Sequence, residues 1–382
     1  MTDPHLPGRA AADRATSDHA VADLATVLDR SEVVLAGGPG GVGKTTTAAA
    51  LAVAAARRGR RVVVVTVDPA RRLADSLGVA ELGNEPRLVL PPTGTSWPGS
   101  LSALMLDTAS TFDALVRSQS TSTEQAEAIL GNPMYRNISG ALSGTQEYMA
   151  VEKLHELHRA GDFDLVVVDT PPSRNAIDLL EAPGRLVRFL EHPIYRLLTA
   201  PSRSALRAFG AAARLFLRTL RGIAGAEIVE DAVEFFQAFA GMEDGFRRRA
   251  ADVDRMLREP STSFVVVSSP RDEALREAGH LIGELRARDM TVDAVVVNLV
   301  HPVPGAVEAS RGDHGALGAL LTLHDRLTTL ALDERERARG LVAADSSTIV
   351  TELPLLDHDV HDLDGLGELA SLLVPGDVGT EG

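Results

Sequence analysis

Four short runs of β-branched residues with almost no polar interruption punctuate the chain: residues 61–67 (RVVVVTV), 165–169 (LVVVD), 264–268 (FVVVS) and 294–298 (AVVVN). A strand with one wet face alternates apolar and polar positions, whereas an unbroken apolar run marks a strand covered on both faces. Residues 32–37 form a similar opening strand, and weaker runs lie at 101–106 and 348–353. Helical periodicities separate these runs. The resulting βαβα order predicts a doubly wound α/β fold with a mostly parallel sheet and right-handed crossovers.

Two intervals are too long for simple crossovers. Residues 108–161 are expected to hold two or more helices, the second opening on a Ser143-x-x-Gln146 capping box ahead of Tyr148, Met149, Leu154 and Leu157. Residues 179–259 show no strand pattern and carry seven of the ten phenylalanines. Phe209, Phe216, Leu220 and Ile223, then Val229, Val233 and Phe236, recur at helical spacing. An inserted α-helical subdomain follows, whose apolar face is either its own core or a groove for a hydrophobic client. The predicted organisation is a disordered N-terminus at 1–18, a nucleotide-binding core at 19–107, and a helical insertion at 108–161. A core strand and its switch follow at 162–178, the helical subdomain at 179–259, the rest of the core at 260–374 and a disordered tail at 375–382. Residues 302–316 read as a surface loop, and 317–344 as a helix.

The sharpest chemical signal follows the first strand. Gly38, Gly43, Lys44 and Thr45 match G-x-x-x-x-G-K-T, between an apolar strand and an alanine-rich helix. Such a P-loop turns its backbone N–H groups toward phosphate at a helix N-terminus, with the lysine on the β- and γ-phosphates and the threonine hydroxyl on Mg²⁺. The predicted nucleotide-binding residues are Gly38, Gly40, Gly41, Val42, Gly43, Lys44, Thr45 and Thr46. Lysine is otherwise almost absent: Lys44 and Lys153 are the only two. Retention of a compact ammonium at this point, in a chain that elsewhere prefers arginine, fits a crowded phosphate site.

Composition removes several alternatives. A formal net charge of −15 argues against nucleic-acid binding, and zero cysteines exclude disulfides, thiolate metal sites and a catalytic thiol. The eleven histidines lack metal-ligand spacing. The longest run without charge, glycine or proline, 45–56, is too short to span a bilayer, and the acidic N-terminus does not resemble a signal peptide. A cytoplasmic protein without a transmembrane segment is expected.

Strand ends narrow the chemistry. Asp68 follows the run ending at Val67, and Asp169 ends the run 165–169, both at C-terminal ends of parallel strands, where such sheets bind ligands. Asp169 suits the magnesium water shell beside Thr45, and Asp68 suits orienting or deprotonating water. Asp68 would alternatively serve as a helix N-cap for residues 71–77.

Taken in order over roughly residues 30–372, these stretches resemble the ArsA-like ATPases, a family that includes arsenical-pump and guided-entry membrane-protein-targeting ATPases. The family's D-P-A-H-S aligns with Asp68-Pro69-Ala70-Arg71-Arg72, and its D-T-A-P-T-G-H-T-L with residues 169–177. The resemblance implies ATP with Mg²⁺, a switch I role for Asp68, a switch II role for Asp169, and adenine contacts from Asn298 and Pro354. It also implies a dimer and a hydrophobic or membrane-protein client. The family's G-K-G-G-V-G-K-T carries an early lysine that acts across a dimer, and Pro39 stands there in this chain. Slow turnover alone, and either a homodimer or a heterodimer with a lysine-bearing paralogue, are the expectations. An ATP-binding regulatory subunit without hydrolysis is the alternative. The zinc-binding and arsenite-capturing cysteines of the family are missing, and Asn175 replaces its switch II histidine.

Overall fold

The computed structural model describes residues 23–68, 72–135, 145–193, 195, 199, 226–305, 316–341 and 348–375, with the side chains of 173–175, 226–230 and 316 outside the description. The expected disorder at 1–18 and 375–382 falls mainly outside these residues, as do Ser143 of the capping box and Phe209, Phe216, Leu220 and Ile223.

Eight strands form one sheet: β1 Val33–Gly37, β2 Arg61–Thr66, β3 Arg87–Val89, β4 Ser100–Met105, β5 Leu165–Asp169, β6 Thr262–Ser268, β7 Val292–Val300 and β8 Ile349–Pro354. Their order is β3-β4-β2-β5-β1-β6-β7-β8. Every neighbouring pair is parallel except β3 with β4. The doubly wound sheet and all of its predicted strands are therefore present. The antiparallel β3 was not foreseen, because three residues, two of them exposed, are too few to make a hydrophobic pattern.

Burial on both faces explains the valine runs. Val63, Val65, Val166 and Val168 point into one apolar layer, while Val62, Val64, Leu165 and Val167 point into the other. Against the second layer lie α1 Leu24–Arg30, α2 Lys44–Arg57 and α12 Leu363–Leu373. Helix α2 is apolar around most of its circumference, with residues 47–56 all buried. Its alanines let it lie close between the sheet and α12, as expected of an interior helix.

The first layer continues outward into helices. Here lie α4 Thr108–Gln119, α5 Thr123–Gly131, α6 Thr145–Ala160, α7 Ser173–Glu191, α8 Ala226–Phe239, α9 Glu243–Leu257 and α10 Asp272–Arg286. Apolar packing runs without a break from Leu104 and Val166 through Met149 and Leu154 to Phe235, Phe239 and Phe246. Phe239 stacks on Phe246 with ring centroids 4.9 Å apart, and Phe235 meets Phe236 edge-on at 5.1 Å. The chain between β2 and β3 forms α3 Arg72–Ser76, and that between β7 and β8 forms α11 Ala316–Gly340. No helix among the described residues is long and apolar enough to cross a membrane.

Candidate functional site

The site forms where β1 ends between β5 and β6. The chain leaves β1 at Gly37, turns through residues 38–43 and enters α2 at Lys44. Two glycines in this turn are dictated by space. A Cβ on Gly38 would stand 1.9 Å from the Val267 carbonyl oxygen of β6, so only glycine lets the turn lie against that strand. Gly43 is left-handed at φ 86°, and a Cβ there would fall 2.3 Å from Asn298 Nδ2.

Asn298, near the end of β7, braces the turn from behind. Its side-chain amide donates to the Val42 carbonyl at 2.9 Å, and its Oδ1 accepts from the Leu299 N–H at 2.9 Å. Leu299 adopts a left-handed φ of 64°, which accommodates that local hydrogen bond. Pro354 closes β8 in register with Val300. Neither Asn298 nor Pro354 lines the cleft in front of the turn, whose backbone wall comes from Gly40, Gly41 and Gly43.

In front of the turn, Lys44, Thr45, Asp68, Arg72, Asp169 and His361 border one cleft of about 330 Å³. Lys44 is 9 % exposed, and its ammonium donates to the Pro39 carbonyl at 2.7 Å. Burial pulls the Lys44 pKa below its ordinary value, opposed by the Asp169 carboxylate. Thr45 Oγ1 donates to Asp169 Oδ2 at 2.7 Å, and Thr66 Oγ1 donates to the same oxygen at 3.0 Å. The other oxygen, Asp169 Oδ1, is buried without a hydrogen-bond partner. Burial raises the Asp169 pKa, and the two threonine hydroxyls partly offset this.

Thr66 was missed in the sequence. It ends β2 directly beside Asp169 in the sheet register, and it also accepts the Asp68 backbone N–H at 3.2 Å. One hydroxyl thus ties both acidic residues together, and the only trace of this in the sequence is a threonine set among the valines of residues 62–67. Asp68 itself is partly exposed, with the Arg72 guanidinium 3.7 Å from its Oδ2. Arg72, Asp75, Ser76, Val360 and His361 also line the cleft without having been singled out. The last two reach it from the connection after β8, a long-range placement with no local signature.

The donor set fits a magnesium ion. A buried carboxylate oxygen without a partner, beside a threonine hydroxyl at the mouth of the glycine turn, is the kind of donor set that would hold a hydrated cation shared with a bound ligand. A self-sufficient metal cage of three or more acidic or histidine side chains is absent among the described residues.

A second cavity, apolar and about 350 Å³, opens among α6, α7 and α8 and is lined by Tyr148, Met149, Leu186, Phe189, Phe235 and Phe236.

Residues 31–309 match the anion-transporting ATPase (ArsA) family. The ATPase GET3 of Malassezia globosa is 28 % identical over 357 residues, covering 92 % of this chain and 94 % of that protein. The ATPase GET3 of Phaeosphaeria nodorum is 26 % identical over 280 residues, covering 72 % and 79 %, respectively. The ATPase get3 of Schizosaccharomyces japonicus is 27 % identical over 282 residues, covering 72 % and 77 %.

Proposed function

Because the chain belongs to the ArsA family of anion-transporting ATPases, we propose that it binds Mg-ATP in the cleft before the glycine turn and hydrolyses it. The observation that carries this reading is the Thr45–Asp169 contact at 2.7 Å beside the unpartnered Asp169 Oδ1. The backbone N–H groups of residues 40–45 cradle phosphate, and Lys44 neutralises its charge. Thr45 and Asp169 hold Mg²⁺, which when bound neutralises phosphate charge in the site. Asp68, whose backbone is fixed by Thr66, orients the attacking water and accepts its proton.

Nucleotide state would move the helices beyond Asp169, starting with α7, whose first residue lies four after that carboxylate. A hydrophobic or membrane-protein client would enter the aromatic cavity, and the chain would act in the cytoplasm as a homodimer or heterodimer. An adenine contact by Asn298 would share that residue with its bracing of Val42.

Phosphate release by the purified chain with Mg-ATP tests the proposal. Asp68→Asn is expected to keep nucleotide affinity and lose turnover, whereas Lys44→Ala loses both. Release unchanged in Asp68→Asn removes that residue from the chemistry. Absence of Mg-dependent release by the wild-type chain overturns hydrolysis.

Pro39 favours a second reading, a regulatory ATP-binding subunit that works with a lysine-bearing paralogue. A lysine supplied in trans would be worth roughly three to five orders of magnitude in rate, by analogy with an arginine supplied in trans. Pro39→Lys, or mixing with such a paralogue, should then accelerate turnover. If the lone wild-type chain is already as fast as either, that reading fails.

A further inference from the structure

We propose that Arg72 is a catalytic residue of this site, bringing its guanidinium to the terminal phosphoryl oxygens of ATP as negative charge builds on them. The inference deepens the hydrolysis reading and rests on it.

Charge in the cleft supplies the first argument. Asp68, Asp75 and Asp169 bring three carboxylates to its described lining, against the cations Lys44 and Arg72. A triphosphate adds further negative charge, so each of the two cations becomes important. Lys44 is anchored at the turn, buried and donating to Pro39. Position 39, being proline, brings no side-chain cation of its own. The remaining permanent cation in this lining is Arg72.

Its placement supplies the second argument. Arg72 opens α3 on the same wall as Asp68, and its Nη1 lies 3.7 Å from Asp68 Oδ2. The guanidinium therefore stands beside the carboxylate assigned to the attacking water. The Arg72 side chain is 70 % exposed. A long, solvent-screened contact of this kind is weak, so the guanidinium turns from carboxylate to phosphate at little expense. A planar guanidinium also offers two parallel N–H donors to two phosphoryl oxygens, which a lysine does not.

In the step proposed, the water oxygen bonds to the γ-phosphorus while the bond from that phosphorus to the β–γ bridging oxygen breaks. The electron pair of the broken bond leaves on ADP. One water proton passes to Asp68 and then to the released phosphate. Arg72 neither gains nor loses a proton, and it stabilises charge on the transferring group.

Arg72→Ala and Arg72→Lys separate this role from a structural one. Turnover, KM, affinity for Mg-ATPγS and affinity for Mg-ADP-aluminium fluoride are measured for each. Arg72→Ala should lower kcat at least about 100-fold, a modest share of what an arginine at a transferring phosphoryl group can supply. Its KM and ATPγS affinity should stay within about threefold, because an interaction made only in the transition state leaves ground-state binding alone. Affinity for the aluminium fluoride complex should fall in parallel with kcat. Arg72→Lys, which keeps the charge and loses the fork, should recover part of both. An active wild type with an equally active Arg72→Ala overturns the inference and leaves the hydrolysis reading standing. Equal losses of ATPγS and aluminium fluoride affinity also overturn it, since they mark Arg72 as a ground-state binding residue. A wild type no faster than Lys44→Ala overturns the hydrolysis reading itself, and the role of Arg72 with it.

Discussion

Replacing Gly43 by alanine sets two demands against each other at one point in the nucleotide turn. The residue sits at φ 86°, ψ 29°, where a Cβ costs about 1–2 kcal/mol. The new methyl would also lie 2.3 Å from Asn298 Nδ2, far inside contact distance. Relief requires the Asn298 amide to leave the Val42 carbonyl, and a buried carbonyl left without its donor costs about 1–3 kcal/mol. The sum is about 2–5 kcal/mol. If it is felt wholly in the phosphate-binding conformation, affinity for Mg-ATPγS drops roughly 30- to 4,000-fold. Calorimetric titration of wild type, Gly43→Ala, Asn298→Ala and the double variant measures this directly. Asn298→Ala removes the clash and the brace together, so adding Gly43→Ala to it should cost only the backbone strain. The coupling between the two should be about 1–3 kcal/mol. The same titrations separate a brace from a base contact, since a brace lowers ATP and GTP affinity by equal factors and an adenine contact lowers ATP alone. Additive losses, or wild-type affinity in Gly43→Ala, refute the reasoning.

Other expectations follow from side chains away from the turn. His155 on α6 is buried, and burial first, then the Arg249 and Arg159 charges, push its pKa down to about 4. Because the unfolded histidine titrates near the ordinary 6.5, the folded state loses stability as pH falls from about 6.5 toward 4, by about 2 kcal/mol at pH 5. His155→Gln should remove that part of the acid sensitivity in urea melts at pH 8 and 5, and an unchanged difference between the two pH values would count against it. Phe246→Ala should destabilise by about 3–5 kcal/mol and shift one cooperative transition. Two transitions, only one of them shifted, would contradict the continuous apolar packing from sheet to helices. Thr66→Val is nearly isosteric but removes the hydroxyl between Asp169 and Asp68, and should cost about 1–3 kcal/mol for the donor and acceptor it leaves behind. Its effect on turnover should exceed its effect on ATPγS affinity, and an equal effect on both would show that it only supports the fold.

The features legible in the sequence are those with a local cause. Valine runs need only burial on both faces, and the glycine turn needs only its own backbone, so the parallel sheet, Lys44, Thr45 and the strand-end carboxylates emerge where they were expected. Elements fixed by distant partners do not show in this way. β3 exists because it lies beside β4, and Thr66 matters because register sets it beside Asp169. Asn298 was identified as a possible base contact, yet its amide points at Val42, a placement decided by how closely β7 approaches the turn. His361 reaches the cleft by the path of the chain after β8, which no periodicity encodes. Arg72 was visible only as a departure from the D-P-A-H-S pattern, and its position beside Asp68 required the fold.

A crystal structure of the chain with Mg²⁺ and ATPγS tests the central claim most directly. The account predicts the ion about 2.0–2.1 Å from Thr45 Oγ1, with Asp169 on its water shell, Lys44 between the β- and γ-phosphates, and Asp68 facing the γ-phosphorus. A nucleotide bound outside the cleft, or an ion beyond reach of both Thr45 and Asp169, would contradict it.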